Sequence, residues 1–194
     1  MRQTIGHQKA LPRFLALAAA TIVAVMSPGA SAQAPGKSAD GPNIQDIIDS
    51  QRSNARIVGG SPAVRGQWPS MTAIFMQKPG RAVLNFCGGT VVGNQWVLTS
   101  AHCAAAMKKE AAAEFFIREG AYDLNSSEGR RITVVNIVAH PQYDPNLKVN
   151  DVALLRIEQP AQAPRQKMLS RGDVAQGLVP GKNATVIGFG LVAE

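Results

Sequence analysis

The chain has 194 residues, 45% of them apolar, so it can bury a core and does not have the composition of a disordered polymer. Its net charge of +7 is dispersed: residues 1–56 hold 6 basic and 3 acidic groups, and the rest of the chain carries only short basic pairs such as Lys108-Lys109 and Arg130-Arg131. Proteins that bind nucleic acid concentrate their cations on one face or in one run, so this distribution argues against nucleic acid as a partner and for a solvated, mildly basic surface.

Residues 1–32 read as an export signal. Arg2, Lys9 and Arg13 precede a predominantly apolar stretch of thirteen residues from Phe14 to Met26, and Pro28, Gly29 and the small triplet Ala30-Ser31-Ala32 follow. That order predicts cleavage after Ala32. Thirteen residues fall short of the roughly 20 that span a bilayer, so no membrane attachment is expected once the leader is removed. Export would deliver the protein to a secreted or periplasmic location. In such an oxidising compartment Cys87 and Cys103 are expected to pair, closing a loop whose chain-entropy contribution is about 3 kcal/mol.

Residues 33–56 are polar and turn-rich and read as a linker or propeptide. Within them Ile44, Ile47 and Ile48 recur at i, i+3 and i+4, which predicts a short amphipathic helix that either covers an apolar patch or frays. Beyond Arg56 the texture changes to short runs rich in Val, Ile, Thr and aromatics. Strands are predicted over 71–76, 82–86, 90–93, 96–100, 115–120, 131–140, 152–157 and 184–190. Many short strands separated by turns point to an all-β barrel or sandwich. One helix is expected among them, over 103–115, where Ala, Lys and Glu dominate.

Four features carry chemistry. Arg56-Ile57-Val58-Gly59-Gly60 places a basic residue before an apolar start, which is either a loop arginine or a cleavage site for an Arg-directed protease that frees the Ile57 amine. His102 lies in "WVLTSAHC", beside Cys103, as a satisfied turn histidine or a catalytic base. Forty-nine positions later Asp151 opens the apolar strand "VALLRI", as a loop cap or as the carboxylate that orients an imidazole and stabilises it when charged. Near the end stands Gly188-Phe189-Gly190.

In this order, from Ile57 to about Gly190, these features resemble the trypsin-like serine proteases of the chymotrypsin fold. The resemblance implies an all-β, six-stranded antiparallel β-barrel over 57–194, the N-terminal barrel of a fold that has two, with a short helix after the histidine. It also implies that His102 is the general base, Asp151 its partner, and Cys87–Cys103 the disulfide that closes the histidine loop. Residues 1–32 are then a signal peptide and 33–56 a propeptide removed by cutting between Arg56 and Ile57. The expected activity is hydrolysis of peptide bonds in protein or peptide substrates, without a cofactor.

The family's Gly-Asp-Ser-Gly-Gly motif does not occur in these residues. Ser170 lacks a glycine turn to expose it, and Ser100 reads as part of the turn before His102, so neither is expected to be the nucleophile. The oxyanion donors and specificity pocket belong to the second barrel, and the chain by itself is expected to be inactive, its partner a separate C-terminal half. The alternative is a non-catalytic module that binds through the face a second barrel would cover. His102, His140 and Asp144 fit no metal-ligand spacing. Arg171-Gly172-Asp173 is expected to be an ordinary loop tripeptide.

Overall fold

The computed structural model of the protein describes residues 3–9, 43–45, 60–177 and 179–190. Its body is a closed antiparallel barrel of six strands in the order β3, β4, β5, β8, β7, β6, with β6 returning to β3. The strands are β3 (Met71–Gln77), β4 (Leu84–Gly93), β5 (Trp96–Thr99), β6 (Glu114–Glu119), β7 (Arg130–Ala139) and β8 (Ala153–Ile157). Two helices accompany them, α1 (Ala101–Lys108) and α2 (Arg171–Gly177). A second, three-stranded sheet joins β2 (Ser61–Pro62), β1 (Thr4–Lys9) and β9 (Asn183–Gly188). The all-β barrel expected from the sequence is the architecture found.

The interior is filled by the inward side chains of every strand. Ile74, Phe86, Val91, Val97, Ile117, Ile132, Leu155 and Ile157 are all fully buried there, each contributing about 1.5–3 kcal/mol by leaving water. β3 is buried on both faces. Its outer residues Ala73 and Phe75 are roofed by Phe116, Leu124 and Phe189, and Phe75 stacks on Phe116 with ring centroids 5.2 Å apart.

Where the structure departs from the sequence reading, packing explains the difference. The strands predicted over 82–86 and 90–93 are one strand, β4, with Gly88 and Gly89 inside it rather than in a turn. A Cβ on Gly89 would lie 2.6 Å from Val97 Cγ1 and one on Gly88 2.9 Å from Met71 Cε, so these glycines admit close neighbours. The helix expected over 103–115 stops at Lys108. Phe115, Phe116 and Ile117 are drawn into β6, and barrel burial outweighs the modest helix preference of the alanines before them. Arg171-Gly172-Asp173 forms the first turn of α2 rather than a loop. Ser170 Oγ accepts the Asp173 N–H there and the Asp173 carboxylate accepts from the Ser170 N–H and hydroxyl, a capping box.

Of the three isoleucines expected to form one apolar helix face, Ile44 is buried in the barrel's main core cluster, whereas Ile47 and Ile48 lie outside the described residues. So do Phe14–Met26, Ala32, Arg56 and Ile57. Within the expected leader, residues 4–9 carry strand backbone: β1 pairs with β9 from Thr4↔Gly188 to Lys9↔Asn183. Cleavage after Ala32 would remove β1 and take that partner from β9.

A β-bulge prepares the position of Cys87. The β3–β4 register shifts between Ile74 and Phe75, and the Asn85 amide satisfies the break by donating to the carbonyls of Ile74 and Cys87 at 3.0 and 3.2 Å. Cys87 is disulfide-bonded to Cys103, so β4 is fastened to α1 across 16 residues. Replacing both cysteines by serine should lower unfolding free energy by about 3 kcal/mol, the loop-closure entropy of a ring this size, measured by urea titration. A loss under about 0.5 kcal/mol would mean that strand pairing alone holds α1 in place.

Candidate active site

Register brings the candidate residues together. β5 and β8 are antiparallel neighbours paired Thr99↔Ala153, so the chain leaving β5 and the chain entering β8 emerge at the same end of the barrel. His102 follows Thr99 by three residues and Asp151 precedes Ala153 by two. Small side chains let α1 sit close to this corner: Ala101, Ala104 and Ala153 form one buried cluster against Ile137, Ala139 and Tyr143.

Asp151 grips the start of α1. Its Oδ2 lies 2.7 Å from His102 Nδ1, its Oδ1 accepts the His102 backbone N–H at 2.8 Å, and the Ala101 N–H also points to it. The first N–H groups of a helix have no partner within the helix, and its N-terminus favours negative charge. Ser100 at the N-cap makes no side-chain cap hydrogen bond. A carboxylate 49 residues away caps the helix instead. The loop before it is shaped to deliver that carboxylate, with Lys148 and Asn150 at positive φ (54° and 57°), and the Asn150 amide donating to the Gln142 carbonyl.

Burial pushes the Asp151 carboxyl up, but the hydrogen bonds from the His102 side chain, the His102 and Ala101 backbone and the His102 charge together hold it below the usual carboxylate range. An ionised carboxylate only accepts, so the proton between the two side chains belongs to Nδ1, and in the neutral imidazole Nε2 is left with a lone pair. Tyr143, half-buried beside this corner and with no hydrogen-bond partner for its buried hydroxyl among the described residues, has its phenol raised by burial and by the charges of Asp151 and Asp144. It therefore stays a neutral wall. No feature of the sequence marked Tyr143 or the Ala101 amide, because one acts by packing and the other through the backbone.

Ser100 Oγ stands 3.2 Å from His102 Nε2 and also donates to Cys103 Sγ at 2.9 Å. The N–H groups of Ala101 and His102, the nearest candidates to stabilise an oxyanion at Ser100, are already turned to Asp151. Ser170 is committed to its capping box. His140 Nδ1 accepts the Gln142 N–H, and Asp144 Oδ1 accepts from Asn146 and Leu147 in a tight turn, so neither converges on His102. Cys87, His102 and Cys103 bring potential ligand atoms within 4.8 Å of one another, but both sulfurs are held in the disulfide. A largely apolar groove beside Ser100 and Asp151 runs between the barrel, at Met71 and Leu98, and the end of β9 at Phe189.

Residues 57–194 match the family model described as Trypsin. The chain belongs to the trypsin family. Among relatives in that family, serine protease 56 of Mus musculus is 35% identical over 120 residues, which cover 62% of this chain and 18% of that protein. Chymotrypsin-like elastase family member 1 of Homo sapiens is 35% identical over 123 residues, covering 61% of this chain and 44% of that one. The chain thus spans less than half the length of these trypsin-family relatives. Of solved structures, the VesB protease of Vibrio cholerae superposes with a TM-score of 0.50 and 32% identity, over 60% of this chain and 35% of VesB. No described helix is long and apolar enough to cross a membrane.

Replacing Asp151 by alanine should destabilise the protein by about 2–3 kcal/mol, since charge-assisted hydrogen bonds are lost and two helix N–H groups are stranded. The carboxyl titrates lower when folded than unfolded, so its stabilisation is whole above about pH 4 and disappears as pH falls through the lowered folded value. Denaturation followed between pH 6 and 2 should show wild type losing a component of stability below about pH 4 that Asp151→Ala never has. Parallel acid profiles would contradict this role for the carboxylate.

Proposed function

We propose that the chain supplies the general base and its orienting carboxylate to an exported trypsin-like serine endopeptidase, made as a precursor that is activated by a cut between Arg56 and Ile57. The observation that carries this reading is the 2.7 Å bond between His102 Nδ1 and Asp151 on a disulfide-braced barrel of the trypsin family. His102 Nε2 takes the proton of an attacking serine hydroxyl as its oxygen bonds to the scissile carbonyl carbon. It then returns that proton to the leaving amine, and in the second half-reaction does the same for water. Asp151 stays ionised throughout, holding the tautomer and stabilising the imidazolium. The substrates are proteins or peptides, and no cofactor takes part.

The nucleophile is not among these 194 residues. Ser100 is close to the base, but its hydroxyl faces a sulfur and the amides beside it are taken, so nothing would stabilise a tetrahedral oxyanion there. The serine, the oxyanion donors and the substrate pocket come from a second barrel, and hydrolysis needs both halves. The activating cut at Arg56 falls to an Arg-specific protease, and removal of residues 1–32 accompanies export.

Incubated with a panel of chromogenic peptide esters, the 194-residue chain should give no turnover above its His102→Ala variant, and a fluorophosphonate that acylates activated serines should leave it unlabelled. His102-dependent turnover, or labelling that disappears in Ser100→Ala, would place the nucleophile inside this chain and overturn that part of the reading.

A further inference from the structure

The barrel has a second groove that shares no lining residue with the one beside Asp151, and residues 43–45 of the prosegment form one wall of it. Ile44 is 3% exposed and belongs to the core cluster that contains Met76, Phe86, Met107 and Phe115. The groove around it is walled by the β3–β4 turn at Lys78 and Arg81, by Leu84, and by Glu110 just beyond α1. Lys78 Nζ and Glu110 Oε2, 2.7 Å apart, tie the two walls together.

We propose that this groove is a docking site for the protein's own prosegment, and that Ile44 keeps residues 33–56 on the barrel, without a covalent link, after the chain is cut at Arg56. The proposal rests on the processing assigned above. A severed prosegment can be kept by a disulfide or by packing. Residues 33–56 contain no cysteine, so packing alone is left. Ile44 is suited to act as the anchor because it is a β-branched apolar side chain inserted among Met and Phe, beneath a charged rim that shields it from water. Losing it would open the main core to solvent beside Met76 and Leu84. The mature barrel therefore carries its prosegment as a small accessory subunit.

In the full chain, sites for a sequence-specific endopeptidase inserted after Ala32 and after Arg56 release residues 33–56 as a separate piece, whatever the native processing. On gel filtration that piece should travel with the barrel in wild type and in Ile44→Val, and elute alone in Ile44→Asp, whose affinity should fall roughly ten- to a hundredfold. Free elution from a wild-type barrel with unchanged near-ultraviolet circular dichroism would overturn the proposal. So would equal retention of the Ile44→Asp piece. Should excision unfold the barrel, amide exchange in the uncut chain decides: Ile44→Asp should speed exchange at Met76 and Leu84 while Val97 and Leu155 stay protected. Unchanged rates at Met76 and Leu84 would sink it. Failure of the native cut at Arg56 would refute the processing and leave these results standing.

Discussion

The hydrogen bond between the His102 imidazole and the Asp151 carboxylate depends on strand register, and most of the molecule can be understood as fixing that register. With Thr99 opposite Ala153, two segments 49 residues apart in sequence meet at one rim of the barrel. A slip of one residue would turn Val97 and Leu155, both fully buried, out to the surface, so the hydrophobic core enforces the alignment that the chemistry needs. The neighbouring strand adds a second constraint. Its bulge, held by Asn85, presents Cys87 to Cys103, and the resulting bridge pins the helix that carries the imidazole.

Electrostatics at the rim follow from this placement. Asp151 meets the open start of α1, where unpaired N–H groups welcome an anion, and simultaneously meets the imidazole. One carboxylate thus terminates a helix, sets a tautomer and stays ionised although partly buried. Structural demands and those of the proposed chemistry coincide on the same atoms, so a change at 151 would be felt by stability and by the proposed proton transfer alike. Tyr143, its phenol raised by its surroundings, packs against the alanine cluster without adding a competing charge.

Much of this was legible in the chain. The strands announced themselves by β-branched and aromatic runs, and the histidine, aspartate and paired cysteines by their order and their settings. Other parts were not. Gly88 and Gly89 look like a turn, and only the approach of Val97 and Met71 shows why a strand needs them. The alanines after Met107 look helical, but Phe115 and Phe116 contribute more inside the barrel than a further turn of helix does outside it. The Ser170-to-Asp173 spacing was a readable capping signal, although Arg171-Gly172-Asp173 read as an ordinary loop. The grip of Asp151 on backbone amides left no trace in the sequence, since amides are common to every residue. The burial of Ile44 likewise depends on a core cluster assembled from distant segments.

The most direct test is nuclear magnetic resonance of the 15N-histidine-labelled protein near neutral pH. The account predicts a low-field, slowly exchanging proton on His102 Nδ1, with Nε2 unprotonated, and loss of that resonance in Asp151→Ala while the strand amides keep their positions. A His102 ring protonated on Nε2 instead, or an Nδ1 proton indifferent to the loss of Asp151, would contradict it.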